Sequence, residues 1–160
     1  MDVENYSIQF LLENLFAFSD HLDFMRNVYL AAPLFSDAEC DFNSMLRDKL
    51  EGIGMSVFLP QEHSNDSDYV RDSRQESIFS KNVAAIDKAD ILVAVLDGVD
   101  VDSGTAWEIG YAHALDKPVY GLRTDFRTLG IEGTVNLMIE RSVVLCTSQG
   151  ELVKRLELER

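Results

Sequence analysis

Six consecutive apolar residues, Ile91-Leu-Val-Ala-Val-Leu96, stand between Asp90 and Asp97. A half-exposed strand would alternate apolar with polar positions, so the length and β-branched content of this run predict a strand buried on both faces. Such strands belong to parallel sheets, in which each return crossover lays a helix on one face or the other. The rest of the chain meets that demand. Residues 27–35, stopped by Pro33, and residues 55–60, closed by Pro60, read as the first and second strands. Residues 117–123 and 141–147 read as the fourth and fifth.

Helical stretches fill the gaps. Asp37 is placed to cap one, with Phe42, Met45, Leu46 and Leu50 on a single face and Gly52 and Gly54 to end it. A second covers residues 73–88 with Ile78, Val83 and Ile86 on its apolar side, a third follows the central strand, and a charged one closes the chain from residue 148. Residues 61–72 and 124–140 lack a period and read as loops, the first long enough for a lid and the second ending in the apolar stretch 135–139. Five alternations of strand and helix predict an α/β fold, a flavodoxin-like doubly wound five-stranded parallel sheet with helices on both faces. Its expected strand order is 2-1-3-4-5, which places the reversal between strands one and three, where such sheets bind ligands.

One domain over residues 1–160 accommodates this fold. Residues 1–25 are expected to form an amino-terminal helical extension, because Ile8, Leu11, Leu12, Leu15, Phe16 and Phe18 recur at helical spacing and suit a cover for the core or for a neighbouring subunit. Acidic residues open the chain where a secretory signal is basic, and no apolar run is long enough to span a membrane. With 28 acidic and 14 basic residues the formal charge is −14, which argues against nucleic acid or an anionic membrane as partner and leaves small ligands open. Cys40 and Cys146, far apart in sequence, fit reduced thiols in a cytoplasmic protein. His21, His63 and His113 have no metal-ligand spacing with them, so no metal is expected.

The central strand runs into Val101-Asp-Ser-Gly-Thr-Ala-Trp-Glu-Ile-Gly-Tyr-Ala-His113. Asp102 or Ser103 is placed to cap a helix there, and Gly104 leaves room for a ligand or another backbone to come close. Glu108 then stands among Trp107, Ile109, Tyr111 and Ala112, so most directions open to it are apolar. A helical Glu ordinarily belongs on a solvated face. This helix offers no such face, starts at the carboxyl end of the central strand, and follows a loop that holds Asp97, Asp100 and Asp102. Paired carboxylates at that position suit acid, base or nucleophile work. No Gly-x-Gly-x-x-Gly or Walker pattern occupies either loop of the reversal, which removes the usual support for dinucleotide or NTP binding.

Four segments in this order resemble the nucleoside 2-deoxyribosyltransferase family: Tyr29-Leu-Ala-Ala-Pro-Leu-Phe35, Asn82-Val-Ala-Ala-Ile-Asp-Lys-Ala-Asp90, Asp102-Ser-Gly-Thr-Ala-Trp-Glu-Ile-Gly-Tyr-Ala112 and Asn136-Leu-Met138. The resemblance implies that Glu108 is the nucleophile and Asp102 its acidic companion. It further implies a substrate held by Tyr29 at the sugar and by Phe35, Gln61, Asn82, Gly104, Asn136 and Met138. Taken alone, Asn82 reads equally well as a solvent-facing residue, and some family members carry Asp in its place. Deoxynucleoside and free nucleobase substrates, no cofactor, and a homo-oligomer, dimer or hexamer, also follow from the resemblance. In that assembly Asn136 and Met138 serve the active site of an adjacent subunit.

The residues suit this chemistry. A glycosidic carbon that becomes oxocarbenium-like needs an anion on one face and a proton for the leaving base. Glu108 would attack C1′ to form a covalent 2-deoxyribosyl ester, while Asp102, Asn82 and Gln61 orient the base and manage its proton. The helix amino terminus is expected to favour the ionised form of a nearby carboxylate. A deoxynucleoside or nucleotide N-glycoside hydrolase on the same fold would keep the same carboxylates. A noncatalytic nucleotide-sensing module has no use for a buried one.

Overall fold

The computed structural model of the chain describes residues 25–63, 71–128 and 133–159. Most of the expected amino-terminal extension, residues 1–24, therefore lies outside the described residues, as do residues 64–70 of the expected lid. The elements run β1 (Asn27–Ala31), α1 (Asp37–Gly52), β2 (Ser56–Phe58), α2 (Arg71–Lys88), β3 (Ile91–Val95), α3 (Ser103–Ala114), β4 (Val119–Leu122), α4 (Leu137–Ser142), β5 (Val144–Cys146) and α5 (Gln149–Glu157). The strands form one sheet in the order β2-β1-β3-β4-β5, and every adjacent pair is parallel. The predicted fold and its reversal between β1 and β3 are the ones observed.

Two cores form because successive side chains of a strand point to opposite faces. Val28 and Leu30 of β1, with Ile91, Val93 and Val95 of β3, pack on one side against Leu46 and Leu50 of α1 and Leu152 and Leu156 of α5. Tyr29 and Ala31, with Leu92 and Ala94, pack on the other against Ile86 of α2 and Ile109 and Ala112 of α3. All five residues of β3 are buried, as the unbroken apolar run demands. Gly121 in β4 is fixed by the same packing: a Cβ there would stand 2.6 Å from Leu96 Cδ1 and 2.9 Å from Val143 Cγ2.

Several local expectations are corrected. Ser36, not Asp37, caps α1. The Glu39 carboxylate reaches back to accept from the Ser36 amide at 2.8 Å, and the Ser36 hydroxyl accepts from the Glu39 amide at 3.3 Å, which completes a capping box. Part of the expected loop 124–140 is helical, since α4 begins at Leu137. Asn136 Oδ1 accepts from the Met138 amide at 2.9 Å and starts it, and the helix takes Arg141 and Ser142 away from the expected fifth strand. Each of the other strands is shorter than expected, the first ending at Ala31, ahead of Pro33.

The carboxyl ends of β3 and β4 are tied together. The Asp97 carboxylate accepts from the Thr124 amide at 2.6 Å, the Thr124 hydroxyl at 2.5 Å and the Asp125 amide at 2.9 Å. Arg123, only 4% exposed, donates to the carbonyls of Leu96, Gly98 and Arg127. These bonds satisfy the backbone of two loops that no ladder serves.

Candidate active site

Asp102 fixes the start of α3. Its Oδ2 accepts from the Thr105 amide at 3.0 Å and lies 3.4 Å from the Thr105 hydroxyl, with Thr105 itself buried. Of the two residues placed to cap, Asp102 is therefore the one that does so. Thr105, Ile109 and Ala112 form the buried stripe of the helix, and Glu108 stands at its border, partly buried. Across from it Tyr29, on β1 and fully buried, donates its hydroxyl to Glu108 Oε1 at 2.5 Å. The bond joins β1 to the helix that follows β3.

Burial decides the charge state of this pair. Loss of water around Glu108 is the largest effect and pushes its carboxyl up, the Tyr29 hydrogen bond opposes it, and the nearby Asp102 charge adds to the rise, with a result of about 7. The expected help from the helix amino terminus does not prevail, because Glu108 is the sixth residue of α3 and the dipole acts within the first turn. Tyr29 is held neutral far above its ordinary range, by burial first and then by the facing carboxylate. It is thus a donor that does not titrate. Oε1 of Glu108 is held, and among the described residues no hydrogen bond is made to its second oxygen.

A cavity of about 270 Å³ opens onto Glu108, lined by Phe79, Asn82 and Val83 of α2 and by Gly104, Trp107 and Glu108 of α3. A Cβ at Gly104 would stand 3.1 Å from Asp102 Oδ2, so the bare backbone keeps that carboxylate clear. Tyr29, Asn82, Asp102, Gly104 and Glu108, separate in sequence, are thus brought to one place.

Other expected site residues stand elsewhere in the chain's own fold. Phe35 is 79% exposed in the loop after β1. Gln61 turns to α1, where it accepts from Asn43 Nδ2 at 3.1 Å and donates to the Cys40 carbonyl and the Ser44 hydroxyl, both at 3.0 Å. Asn136 and Met138 are exposed at the start of α4, outside the cavity lining. Asp97 and Asp100, which crowd the loop in sequence, spend their carboxylates on backbone amides and do not face Glu108.

The sequence reading passes over the cavity's aromatic wall. Trp107 stacks on Tyr111 with centroids 5.2 Å apart and meets Phe79 at 5.7 Å, and both Trp107 and Phe79 are about half exposed. An aromatic beside the glutamate, with a second at i+4, is a signal that could have found it. Phe58 is the other omission. It stacks on Tyr29 at 5.6 Å and carries His63 on its far side at 4.4 Å, which fixes the plane of the tyrosine ring.

A doubly wound α/β domain that gathers a buried carboxylate, its tyrosine donor and a second acid at the reversal of the sheet belongs with small-molecule enzymes of that architecture. The profile of the nucleoside 2-deoxyribosyltransferases matches residues 28–145, and the chain belongs to that family. The 2-deoxyribosyltransferase of Bacillus psychrosaccharolyticus shares 27% identity and superimposes with a TM-score of 0.70 over 79% of this chain and 90% of that one. A conserved protein of Enterococcus faecalis V583 shares 28% identity at a TM-score of 0.70, over 85% of this chain and 99% of that one. A CMP N-glycosidase of Clostridium botulinum, 22% identical with a TM-score of 0.50 over 82% of this chain and 99% of that one, shares the fold.

Proposed function

We propose that the protein moves 2-deoxyribose between nucleobases through a covalent ester on Glu108. The observation that carries this reading is the carboxylate itself, part-buried at the sheet reversal, held at one oxygen by Tyr29 and open to a cavity it shares with Asn82. The free oxygen of ionised Glu108 attacks C1′ of a 2′-deoxynucleoside, the N-glycosidic bond breaks, and the base leaves with its bonding electron pair and takes up a proton. An incoming base then attacks C1′, the ester opens, and Glu108 is returned as carboxylate. Asp102 and Asn82 orient the base and handle its proton, and Phe79 and Trp107 offer faces on which a planar base stacks.

Transfer is favoured over hydrolysis if the vacated base site refills before water reaches the ester. The same fold serves an N-glycosidase in the Clostridium protein, so the two outcomes are separated by experiment. Incubation with deoxyinosine and adenine should give deoxyadenosine and hypoxanthine, and intact mass spectrometry with deoxyinosine alone should show a sugar adduct that Glu108→Ala lacks. Release of free deoxyribose at a rate indifferent to adenine would make the protein a hydrolase. Adenosine should be used roughly tenfold to hundredfold less well than deoxyadenosine, because a carboxylate close beneath C1′, with Tyr29 nearby, leaves little room for a 2′-hydroxyl on the adjacent carbon, which loses about 1–3 kcal/mol if it goes unpaired.

A further inference from the structure

The two helices that line the cavity at Glu108 are joined to each other about one turn beyond its lining, where Tyr111 of α3 donates its hydroxyl to Asp87 Oδ1 of α2 at 2.9 Å. Lys117 Nζ donates to the carbonyls of Asp87 and Ala89, at 2.9 and 2.6 Å, so the end of α2 that carries this acceptor is itself pinned to the segment before β4. We propose that Tyr111, anchored on Asp87, is a positioning residue for the base: it holds the Trp107 indole in place as a preset stacking face. The inference rests on the transfer reading above and names the residues that set the affinity for the departing and the incoming base.

Trp107 lines the cavity and Tyr111 does not, yet their rings stack with centroids 5.2 Å apart and planes 13° from parallel, so Tyr111 covers one face of the indole from outside the cavity. The other face is left for a planar base, since Phe79 meets the indole at 58°, tilted across it and not laid flat on it. Trp107 is 48% exposed, and burial alone does not confine an indole in that position to one rotamer. The stack at i+4 supplies the missing constraint. Tyr111 can supply it only while its own ring is fixed, and the Asp87 bond closes that side chain at its far end. A side chain ordered before the ligand arrives adds no ordering cost on binding, which for a large side chain is a several-fold gain in affinity. The core makes little use of the same ring. The buried stripe of α3 is Thr105, Ile109 and Ala112, and Tyr111 is only part-buried beside it.

Trp107 is the sole tryptophan of the chain, so its fluorescence reads the site directly and without turnover. Adenine added alone to the intact protein should quench that emission saturably. Tyr111→Leu, which keeps an apolar side chain but no ring, should weaken adenine binding roughly twofold to tenfold, the worth of one aromatic pair, and should lower the anisotropy of the indole in the free protein as it loosens. Tyr111→Phe and Asp87→Ala keep the stack and remove the anchor, so each should give a smaller loss and the two together no more than either alone. In the transfer reaction the same variants should raise KM for adenine more than they change kcat. Adenine affinity unchanged in all three variants overturns the proposal, as does an unmoved anisotropy in Tyr111→Leu or a loss that adds in the double variant. Absence of quenching in the wild type overturns it too, while the sugar adduct on Glu108 still stands or falls by mass spectrometry, so the two readings fail separately.

Discussion

Glu108 is held in a state that works against the stability of the fold. Its carboxyl is raised from 4.5 to about 7 because burial outweighs the bond from Tyr29. The stability that the protonated group retains below pH 4.5 is therefore lost as pH rises through 7, a loss of about 3 kcal/mol from a shift of this size. Glu108→Gln, which cannot ionise, should melt roughly 6–12 °C higher than the wild type at pH 8 and at the same temperature at pH 4, though it is inactive. Thermal unfolding at the two pH values measures this, and equal melting at pH 8 would remove burial as the cause. If Glu108 is the nucleophile, the acid limb of kcat/KM should fall near pH 7, where its carboxylate loses its charge. Tyr29→Phe deletes the bond that lowers the carboxyl, so that limb should move to higher pH; a limb that stays in place belongs to another group. Glu108 is legible in the sequence because most of its neighbours along the helix are apolar and the helix follows an acidic loop. Its partner is legible only through resemblance, since 79 residues separate Tyr29 from Glu108 and no local pattern joins them.

At the scale of elements, strands and long helices follow from periodicity, and the exceptions have physical reasons. The six residues of α4 are too few to show a period, and the helix rests on the Asn136 cap, which an Asn in a loop does not announce. Gln61 follows a strand near the expected site, yet buried Asn43 captures it, a bond between α1 and the turn after β2 that only the fold creates. Gly121 in turn reads as a weak spot in a strand and proves to be a packing requirement. Gly121→Ala should cost about 1–3 kcal/mol, because Leu96 and Val143 must both move away. Denaturant titration should show a lower midpoint with an unchanged slope, and an unchanged midpoint would mean that both side chains give way freely.

At the scale of the whole molecule, large apolar side chains stand in solvent, among them Phe35, Leu137 and Met138, each at least 70% exposed. Sites completed by a neighbour's Asn136 and Met138 would account for it, and mixing variants tests that reading. Glu108→Ala and Asn136→Asp, the latter keeping an acceptor for the Met138 amide, should each be inactive alone. Together, after subunit exchange, they should recover about a quarter of wild-type turnover in a two-fold dimer, since half of the sites in half of the dimers escape both lesions. No recovery with exchange demonstrated would confine Asn136 to its own chain. The strand order has a consequence of another kind, for the chain as it is made. β1 lies inside the sheet, but its partner on one side, β3, starts 60 residues after β1 ends. At about 5–20 residues per second the ribosome needs roughly 3–12 s to supply it. During that time one edge of β1, with Tyr29 and Leu30 on its two faces, has nothing to pair with. The strand whose tyrosine later holds Glu108 in place spends those seconds as an unpaired edge, the kind of surface that a chaperone shields.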